Sequence, residues 1–173
     1  MQFLFLTNIL FQMTPVQPKK IRRKRSAGEI TVEQSSDFSL PAELFKLAGF
    51  NCPGSESGCF FLIGYCGVEP AGIAALQSEV DIAVIRCLLV LEPFRRRGLG
   101  AALVRAARIA ANTRGARTLY ARVPISAADY VARFGFKRVQ ALPGATAAFD
   151  AVSEPAEPST FAVDISGDGL IER

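Results

Sequence analysis

The sequence contains no histidine and no tryptophan among its 173 residues. The absence of histidine excludes imidazole-based catalytic triads, metal sites with histidine ligands and imidazole general bases. No apolar run reaches the ~18 residues that a membrane-spanning helix needs, so we do not expect this chain to be an integral membrane protein. Hydrophobic residues make up 50% of the chain and charged residues 21%, a balance that excludes wholesale disorder. A chain of this length is expected to fold as one domain. Its hydrophobic core is large enough that a metal or a disulfide is not needed for stability.

Cysteine is scarce, with four residues, Cys52, Cys59, Cys66 and Cys87. No two of them have the C-x-x-C spacing, and without histidine a zinc site would need all four, at spacings unusual for zinc. We therefore expect no metal. Cys87 lies in an apolar stretch and is expected to be a small core residue. Reduced thiols are typical of a cytoplasmic protein, which is the location that the sequence favours.

Acidic residues are absent from positions 1–28, which hold six basic residues between Lys19 and Arg25. The rest of the chain carries 14 basic and 16 acidic residues, so the net charge of +4 belongs to this leader. Residues 1–12 are apolar and precede the basic residues, the reverse of a secretory signal, so export is disfavoured. We expect residues 1–28 to be a disordered leader and residues 29–173 the folded domain. Residues 19–25 either steer the protein to nucleic acid or an anionic surface, or form a solvated tail without a specific partner.

After position 28, apolar runs and turn residues predict the order β-α-β-β-β-α-β-α-β-β. This order indicates a mixed sheet of the α/β (α+β) class, with helices packed on its faces. The first helix is expected to begin at Ser39, with Leu40, Leu44 and Leu47 as its buried stripe. The strands are expected at residues 29–33, 59–66, 71–77, 82–91, 118–123, 136–140 and 161–165, and the later helices at residues 99–112 and 127–134. On the helix at residues 99–112, Arg105 and Arg108 are expected to face solvent.

The segment at residues 85–101 carries the chemistry, because an apolar strand there enters a loop of three arginines and two glycines. Gly98 and Gly100 open the long helix, where free backbone N–H groups and the helix dipole favour an anion. Glycine lets the backbone approach a ligand where a Cβ would block it. The guanidinium groups of Arg95, Arg96 and Arg97 add positive charge. The pattern therefore predicts a site for a phosphate-rich ligand.

The spacing Arg95-x-x-Gly98-x-Gly100, between a strand and a helix, resembles the pyrophosphate loop of the GNAT superfamily of N-acetyltransferases. The resemblance covers about residues 29–140 and includes the element order and the later pair Gly135-Phe136. It implies a mostly antiparallel sheet that splays open at an acetyl-CoA site. The backbone of Leu88, Leu89 and Val90 would pair with the pantetheine arm, and the Leu89 N–H would contact the oxyanion. The residues implied for the pyrophosphate are Arg95, Arg96, Arg97, Gly98, Leu99, Gly100 and Ala101.

The sequence identifies the general acid and the general base less clearly than it identifies the pyrophosphate loop. Many members of the superfamily carry a tyrosine four residues before the glycine of the Gly-Phe pair, where it protonates the leaving thiolate. Val131 stands at that position here and Tyr130 precedes it, which turns the ring by about 100° on a helix. Tyr130 is therefore either the general acid or a packed aromatic. Glu69, Glu79, Asp81, Asp129 and a chain of waters are the open alternatives for the base.

Arg86 lies within an apolar strand, where simple alternation places it on one face with Leu88 and Val90. A buried guanidinium needs an anionic partner. Two interpretations stay open: a salt bridge to Asp81 or Glu79, and a clamp on an anionic group of the acceptor.

A partial similarity to the arsenic-resistance acetyltransferase group rests on Arg86, residues 127–133, and the late Pro158, Ser159 and Phe161. The main functional hypothesis is a cytoplasmic enzyme that transfers acetyl from acetyl-CoA to a small amine, without a metal. The alternatives are a protein or peptide acetyltransferase recruited by the basic leader, and a non-catalytic acyl-CoA-binding module. A homodimer is a further open alternative for the assembly.

Overall fold

A computed structural model describes residues 28–35, 37–52, 59–140 and 158–166. The leader predicted at residues 1–28 lies outside the described residues, apart from Gly28. The strands are β1 (Ile30–Ser35), β2 (Cys59–Cys66), β3 (Glu69–Ser78), β4 (Ile82–Val90), β5 (Thr118–Pro124), β6 (Lys137–Val139) and β7 (Pro158–Asp164). The helices are α1 (Ser39–Leu47), α2 (Leu99–Thr113) and α3 (Ala128–Ala132), with short 3₁₀ turns at Glu92–Phe94 and Ile125–Ala127.

The seven strands form one sheet in the order β1-β2-β3-β4-β5-β7-β6. Strands β4 and β5 run parallel, and the other neighbouring pairs of the described sheet are antiparallel. Short turns join β2, β3 and β4 into the predicted meander, whereas α2 forms the crossover that parallel neighbours require. The mixed, mostly antiparallel sheet predicted from the sequence is confirmed.

Each face of the sheet is covered by helix. One core cluster packs α2 and α3 against the sheet around Leu99, Leu103, Val131 and Phe136. The other packs α1 against the opposite face of β2 to β4. We call these the α2 face and the α1 face.

Helix α1 presents a different stripe from the one predicted. Leu44 and Phe45 are buried with Pro41, whereas Leu47 is 74% exposed. Positions i, i+3 and i+4 lie on one side of a helix, and Pro41, Leu44 and Phe45 have that spacing. The prediction that Leu47 is buried was wrong, because Phe45 takes the place in the core beside Phe61.

Among the described residues, the helices are too short or too polar to cross a bilayer.

Candidate active site

The sheet opens between β4 and β5. These strands pair only from Ile82↔Thr118 to Ile85↔Ala121. Beyond that point, β4 continues to Val90 along β3, and β5 continues to Pro124 along β7. The opening lies next to the loop that begins α2. The splay expected between the central strands is therefore present.

A β-bulge lies at the point where β4 leaves β5. Ala75 pairs with Cys87 and Leu76 with Ile85, so Arg86 is the extra residue in β4. An extra residue interrupts the alternation of faces along a strand. Leu88 and Val90 accordingly pack with the α2-face cluster, whereas Cys87 packs with the α1-face cluster.

Arg86 points to the α1 face. Its Nη1 donates to Gln77 Oε1 at 3.3 Å and to Cys59 Sγ at 3.6 Å, and Cys59 and Gln77 are themselves a cross-strand pair. The prediction that Arg86 shares a face with Leu88 and Val90 was wrong, because the bulge reverses the alternation at that residue. The side chain is 8% exposed, and these contacts hold its guanidinium over β3 and β2.

The ladder between β3 and β4 decides which backbone groups face the opening. The N–H of Leu91 donates to the Ala71 carbonyl at 2.9 Å. Hydrogen-bonded pairs alternate along an antiparallel ladder, so the N–H of Leu89, two residues earlier, is directed toward β3. The N–H groups of Leu88 and Val90 face the open edge instead. The oxyanion contact predicted at Leu89 is thereby corrected, since its amide points away from the opening.

The loop at residues 95–101, which we call the arginine–glycine loop, has two residues with positive φ. Arg96 has a φ of 61° and Gly98 a φ of 89°. Arginine seldom adopts this region, so the turn at Arg96 is a strained feature that the surrounding loop maintains. Gly98 is the N-cap of α2 and offers no side chain for capping.

Three amides at the start of α2 have no place in the helix's own hydrogen bonds. The first intrahelical bond runs from the N–H of Ala102 to the Gly98 carbonyl at 3.0 Å. The N–H groups of Leu99, Gly100 and Ala101 precede it and point out of the helix end. With the helix dipole, which places about half a positive charge there, they favour a bound anion.

The three arginines of the loop are exposed, but two of them make contacts. Arg95 Nε donates to the Val90 carbonyl at 3.1 Å, which ties the loop to the end of β4. The Arg97 guanidinium lies 5.8 Å from the centroid of the Phe94 ring. The loop therefore combines helix-end amides with three cationic side chains.

Tyr130 reaches the arginine–glycine loop from α3. A Cβ built on Gly100 would stand 2.7 Å from the Tyr130 hydroxyl oxygen, so the hydroxyl lies directly over the first turn of α2. The neighbouring Val131 is buried in the core, whereas Tyr130 is 37% exposed. Burial raises the pKa of Tyr130 and the nearby Arg105 opposes that shift, so the hydroxyl keeps its proton at neutral pH.

Arg108 connects α2 to the segment that carries Tyr130. Its Nη1 donates to the Phe134 carbonyl at 2.9 Å, and the Phe134 ring packs edge-on against Tyr130 at 5.3 Å between centroids. The prediction that Arg108 faces only solvent was wrong, because the turn after α3 folds back over this side of α2. Arg105 is exposed, as predicted.

The acidic candidates for the base lie in different places. Glu79 and Asp81 are exposed in the turn before β4, at the opposite end of that strand from Val90. At about 3.3 Å per residue, this separates them from the end of β4 by roughly 25 Å. Glu69 and Asp129 are also exposed, Glu69 at the start of β3 and Asp129 beside Tyr130.

The cysteines are free thiols, and no group of three or more metal-binding side chains occurs within the described ranges. Burial, followed by the proximity of Cys52, raises the pKa of Cys87 to about 11. Cys87 packs with the α1-face cluster, in agreement with its expected place as a small core residue.

Sequence reasoning missed one residue at the opening, Arg122. It follows Ala121, the last residue of β5 that pairs with β4. The alternation of Leu119, Ala121 and Val123 toward the α2-face core places Arg122 on the opposite face of β5.

Residues 56–138 match the family model described as an acetyltransferase (GNAT) domain. The fold is similar to a Bacillus subtilis acetyltransferase in complex with CoA, at 14% identity and a TM-score of 0.60 over 79% of this chain and 99% of that one. It is also similar to the Escherichia coli ribosomal-protein-S18-alanine N-acetyltransferase, at 22% identity and a TM-score of 0.60 over 83% and 99% of the chains. N-acetylglutamate synthase from Neisseria gonorrhoeae matches at 20% identity and a TM-score of 0.60, over 81% of this chain and 36% of that chain. No curated protein matches the sequence.

Proposed function

From the match of residues 56–138 to an acetyltransferase (GNAT) domain, we propose that this chain is an acyltransferase that moves the acetyl group of acetyl-CoA to a primary amine of a small acceptor. The observation that carries the proposal is the uncapped start of α2 beside the opening between β4 and β5. Amides at the helix end, a helix dipole and three arginines suit a pyrophosphate, and the open strand edge suits an extended, amide-containing arm.

The residues of the arginine–glycine loop would hold the pyrophosphate, mainly through the N–H groups of Leu99, Gly100 and Ala101. The open-edge amide of Val90 would pair with the pantetheine arm, as an added strand pairs with a sheet edge. Acetyl-CoA supplies a thioester that an amine can attack directly. No part of this arrangement needs a metal.

The amide of Leu88 is the better donor to the developing oxyanion. It faces the opening and lies deeper in it than Val90, closer to the point where β4 and β5 separate. A fixed backbone donor at the site of developing charge lowers the barrier without reorganisation during the reaction.

Tyr130 would protonate the leaving thiolate. Its hydroxyl lies over the first turn of α2, next to the proposed path of the pantetheine arm, and its raised pKa keeps the proton available. A general acid of this kind contributes roughly 10²- to 10⁴-fold to the rate.

Calorimetric titration with acetyl-CoA tests the proposal. Gly98→Asp and Gly100→Asp each add a carboxylate to the loop, and we expect each to weaken binding at least tenfold by repelling the pyrophosphate. Thr113→Asp is the matched control, because it adds the same charge at the exposed far end of α2. Unchanged affinity in both loop variants would refute the assignment.

A thiol-release assay then tests catalysis. The purified protein is supplied with acetyl-CoA and a panel of amino acids, polyamines, aminoglycosides and peptides. We expect amine-dependent release of CoA with at least one small amine. Tight binding of acetyl-CoA with zero release across the panel would favour the non-catalytic acyl-CoA-binding alternative.

A further inference from the structure

The segment that carries Tyr130 follows the half of the sheet that separates from β4. It comes directly after β5, and β5 pairs with β4 only as far as Ala121. The Tyr130 hydroxyl nevertheless lies over the first turn of α2, where a Cβ built on Gly100 would stand 2.7 Å from it. Because the pairing of β4 and β5 ends before this point, other contacts must hold the hydroxyl in place.

Helix α3 is too short to fix the Tyr130 ring by itself. It has five residues, Ala128–Ala132, and its buried residue is Val131. A helix of this length gains little from its own hydrogen bonds and depends on packing against its surroundings. Tyr130 itself is 37% exposed, so the core covers only part of its ring. The orientation of Tyr130 therefore depends on groups beyond α3.

Phe134 contacts the Tyr130 ring directly. The two ring centroids are 5.3 Å apart and the interplanar angle is 67°, which is the edge-to-face arrangement that aromatic pairs favour. Phe134 is half-buried and also packs against the α2-face cluster. Its ring therefore joins Tyr130 to the core.

Arg108 fixes the backbone of Phe134 to α2. Its Nη1 donates to the Phe134 carbonyl at 2.9 Å, and a bond from a guanidinium is charge-assisted. One turn later on the same side of α2, Asn112 Nδ2 donates to the Ile165 carbonyl at 2.7 Å, directly after β7. This side of α2 thus holds the separated half of the sheet against the helix that begins at the arginine–glycine loop.

We propose that Phe134, anchored by Arg108, is a positioning residue that keeps the Tyr130 hydroxyl over the first turn of α2. The proposal rests on the proposed acetyl transfer, in which Tyr130 protonates the leaving thiolate. Phe134 and Arg108 act through Tyr130 and exchange no proton with the substrate.

Steady-state kinetics of the full chain, with acetyl-CoA and the most active amine of the panel, test the proposal. Phe134→Leu removes the ring and keeps the carbonyl that Arg108 binds. We expect kcat to fall roughly tenfold or more, with the KM for acetyl-CoA unchanged. Phe134→Tyr keeps the ring and should retain kcat. Phe50→Leu is the matched control, because Phe50 follows α1 and is 44% exposed, and it should leave kcat unchanged.

The same changes made in Tyr130→Phe separate positioning from a structural role. Without the hydroxyl, Phe134→Leu should lower kcat no further, because it acts through that hydroxyl. A structural role alone would lower kcat in both backgrounds. Should Phe134→Leu not fold, Arg108→Met replaces it in both backgrounds, with the same expectation. If the variant keeps the kcat of the wild type, or lowers it equally with and without the hydroxyl, the proposal is overturned.

Tyrosinate absorbance gives a second readout that needs no acceptor. Burial raises the pKa of Tyr130, so removal of the Phe134 ring should lower this pKa toward its ordinary value, with Tyr130→Phe to assign the group. An unchanged pKa in Phe134→Leu overturns the positioning proposal. A kcat loss in Tyr130→Phe that Phe134→Leu does not reproduce defeats only the positioning. Absent turnover in the wild type defeats the acetyl transfer, and the pKa then decides whether Phe134 holds Tyr130.

Discussion

Gly64 and Gly72 face each other across β2 and β3, and together they leave the space that Leu99 fills. A Cβ on Gly64 would stand 2.7 Å from Leu99 Cδ1, and one on Gly72 would stand 3.2 Å from Leu99 Cδ2 and 2.8 Å from the Leu89 carbonyl oxygen. Leu99 is the first residue of α2 and belongs to the arginine–glycine loop. The glycine pair therefore fixes how closely the anion-binding end of α2 approaches the sheet.

We expect Gly72→Ala to lower the free energy of unfolding by about 1–3 kcal/mol, because its Cβ would overlap a backbone oxygen that cannot rotate away. Gly64→Ala meets only side-chain atoms and should have the smaller effect. Urea unfolding measures both, and calorimetry should show weaker acetyl-CoA binding in Gly72→Ala as the start of α2 shifts. A Gly72→Ala protein as stable as the wild type would contradict this packing.

Local sequence patterns predicted much of the fold. Apolar runs separated by short turns identified the meander β2 to β4, and the periodicity of residues 99–112 identified α2 to within one residue at its end. These features depend on near neighbours in the chain, so composition and spacing determine them.

The errors arose where distant residues decide the outcome. The bulge at Arg86 depends on the register of β3 against β4, and it moves Arg86 to the other face from the one that alternation gives. The contact between Arg108 and Phe134 depends on the turn after α3 folding back over α2. The point at which β4 and β5 separate, after Ile85 and Ala121, likewise depends on their parallel register, which no short motif encodes.

Gly100 and Tyr130 should be coupled in catalysis. A methyl group at Gly100 would displace the Tyr130 hydroxyl, the flexible end of a side chain, so we expect Gly100→Ala to fold normally. Turnover should fall at least tenfold, and Tyr130→Phe should lower it to a similar extent. Steady-state kinetics of the double variant should show no further loss, because both changes remove the same hydroxyl. Additive losses would mean that Tyr130 acts independently of this contact.

Arg108 should stabilise the segment that carries Tyr130. Arg108→Met removes a charged hydrogen bond to the Phe134 carbonyl, and we expect the free energy of unfolding to fall by about 1.5–3 kcal/mol. Arg105→Met is the matched control on the same helix, since Arg105 is exposed and should affect stability by less than about 0.5 kcal/mol. Denaturant unfolding compares the two, and equal effects would deny Arg108 this role.

The variant Arg105→Met should also change the pKa of Tyr130, which can be measured by spectroscopy. Arg105 lowers the pKa of Tyr130 against the larger effect of burial, so removing its charge should move that pKa upward. Titration by tyrosinate absorbance, with Tyr130→Phe to assign the group, measures the shift. A pKa of Tyr130 that stays the same in Arg105→Met would show that the two side chains do not interact.

Cys87 should make the fold sensitive to alkaline pH. Burial favours the neutral thiol and raises the pKa of Cys87 from 9.0 to about 11 in the folded protein, so the unfolded chain loses this proton first as the pH rises. The stabilisation is therefore complete below about pH 9 and is lost progressively between about pH 9 and 11, by roughly 2–3 kcal/mol. Urea unfolding of the wild type and of Cys87→Ala across this range isolates the contribution. The wild type should lose stability more steeply than Cys87→Ala, and parallel curves would show that the thiol titrates alike in the folded and unfolded states.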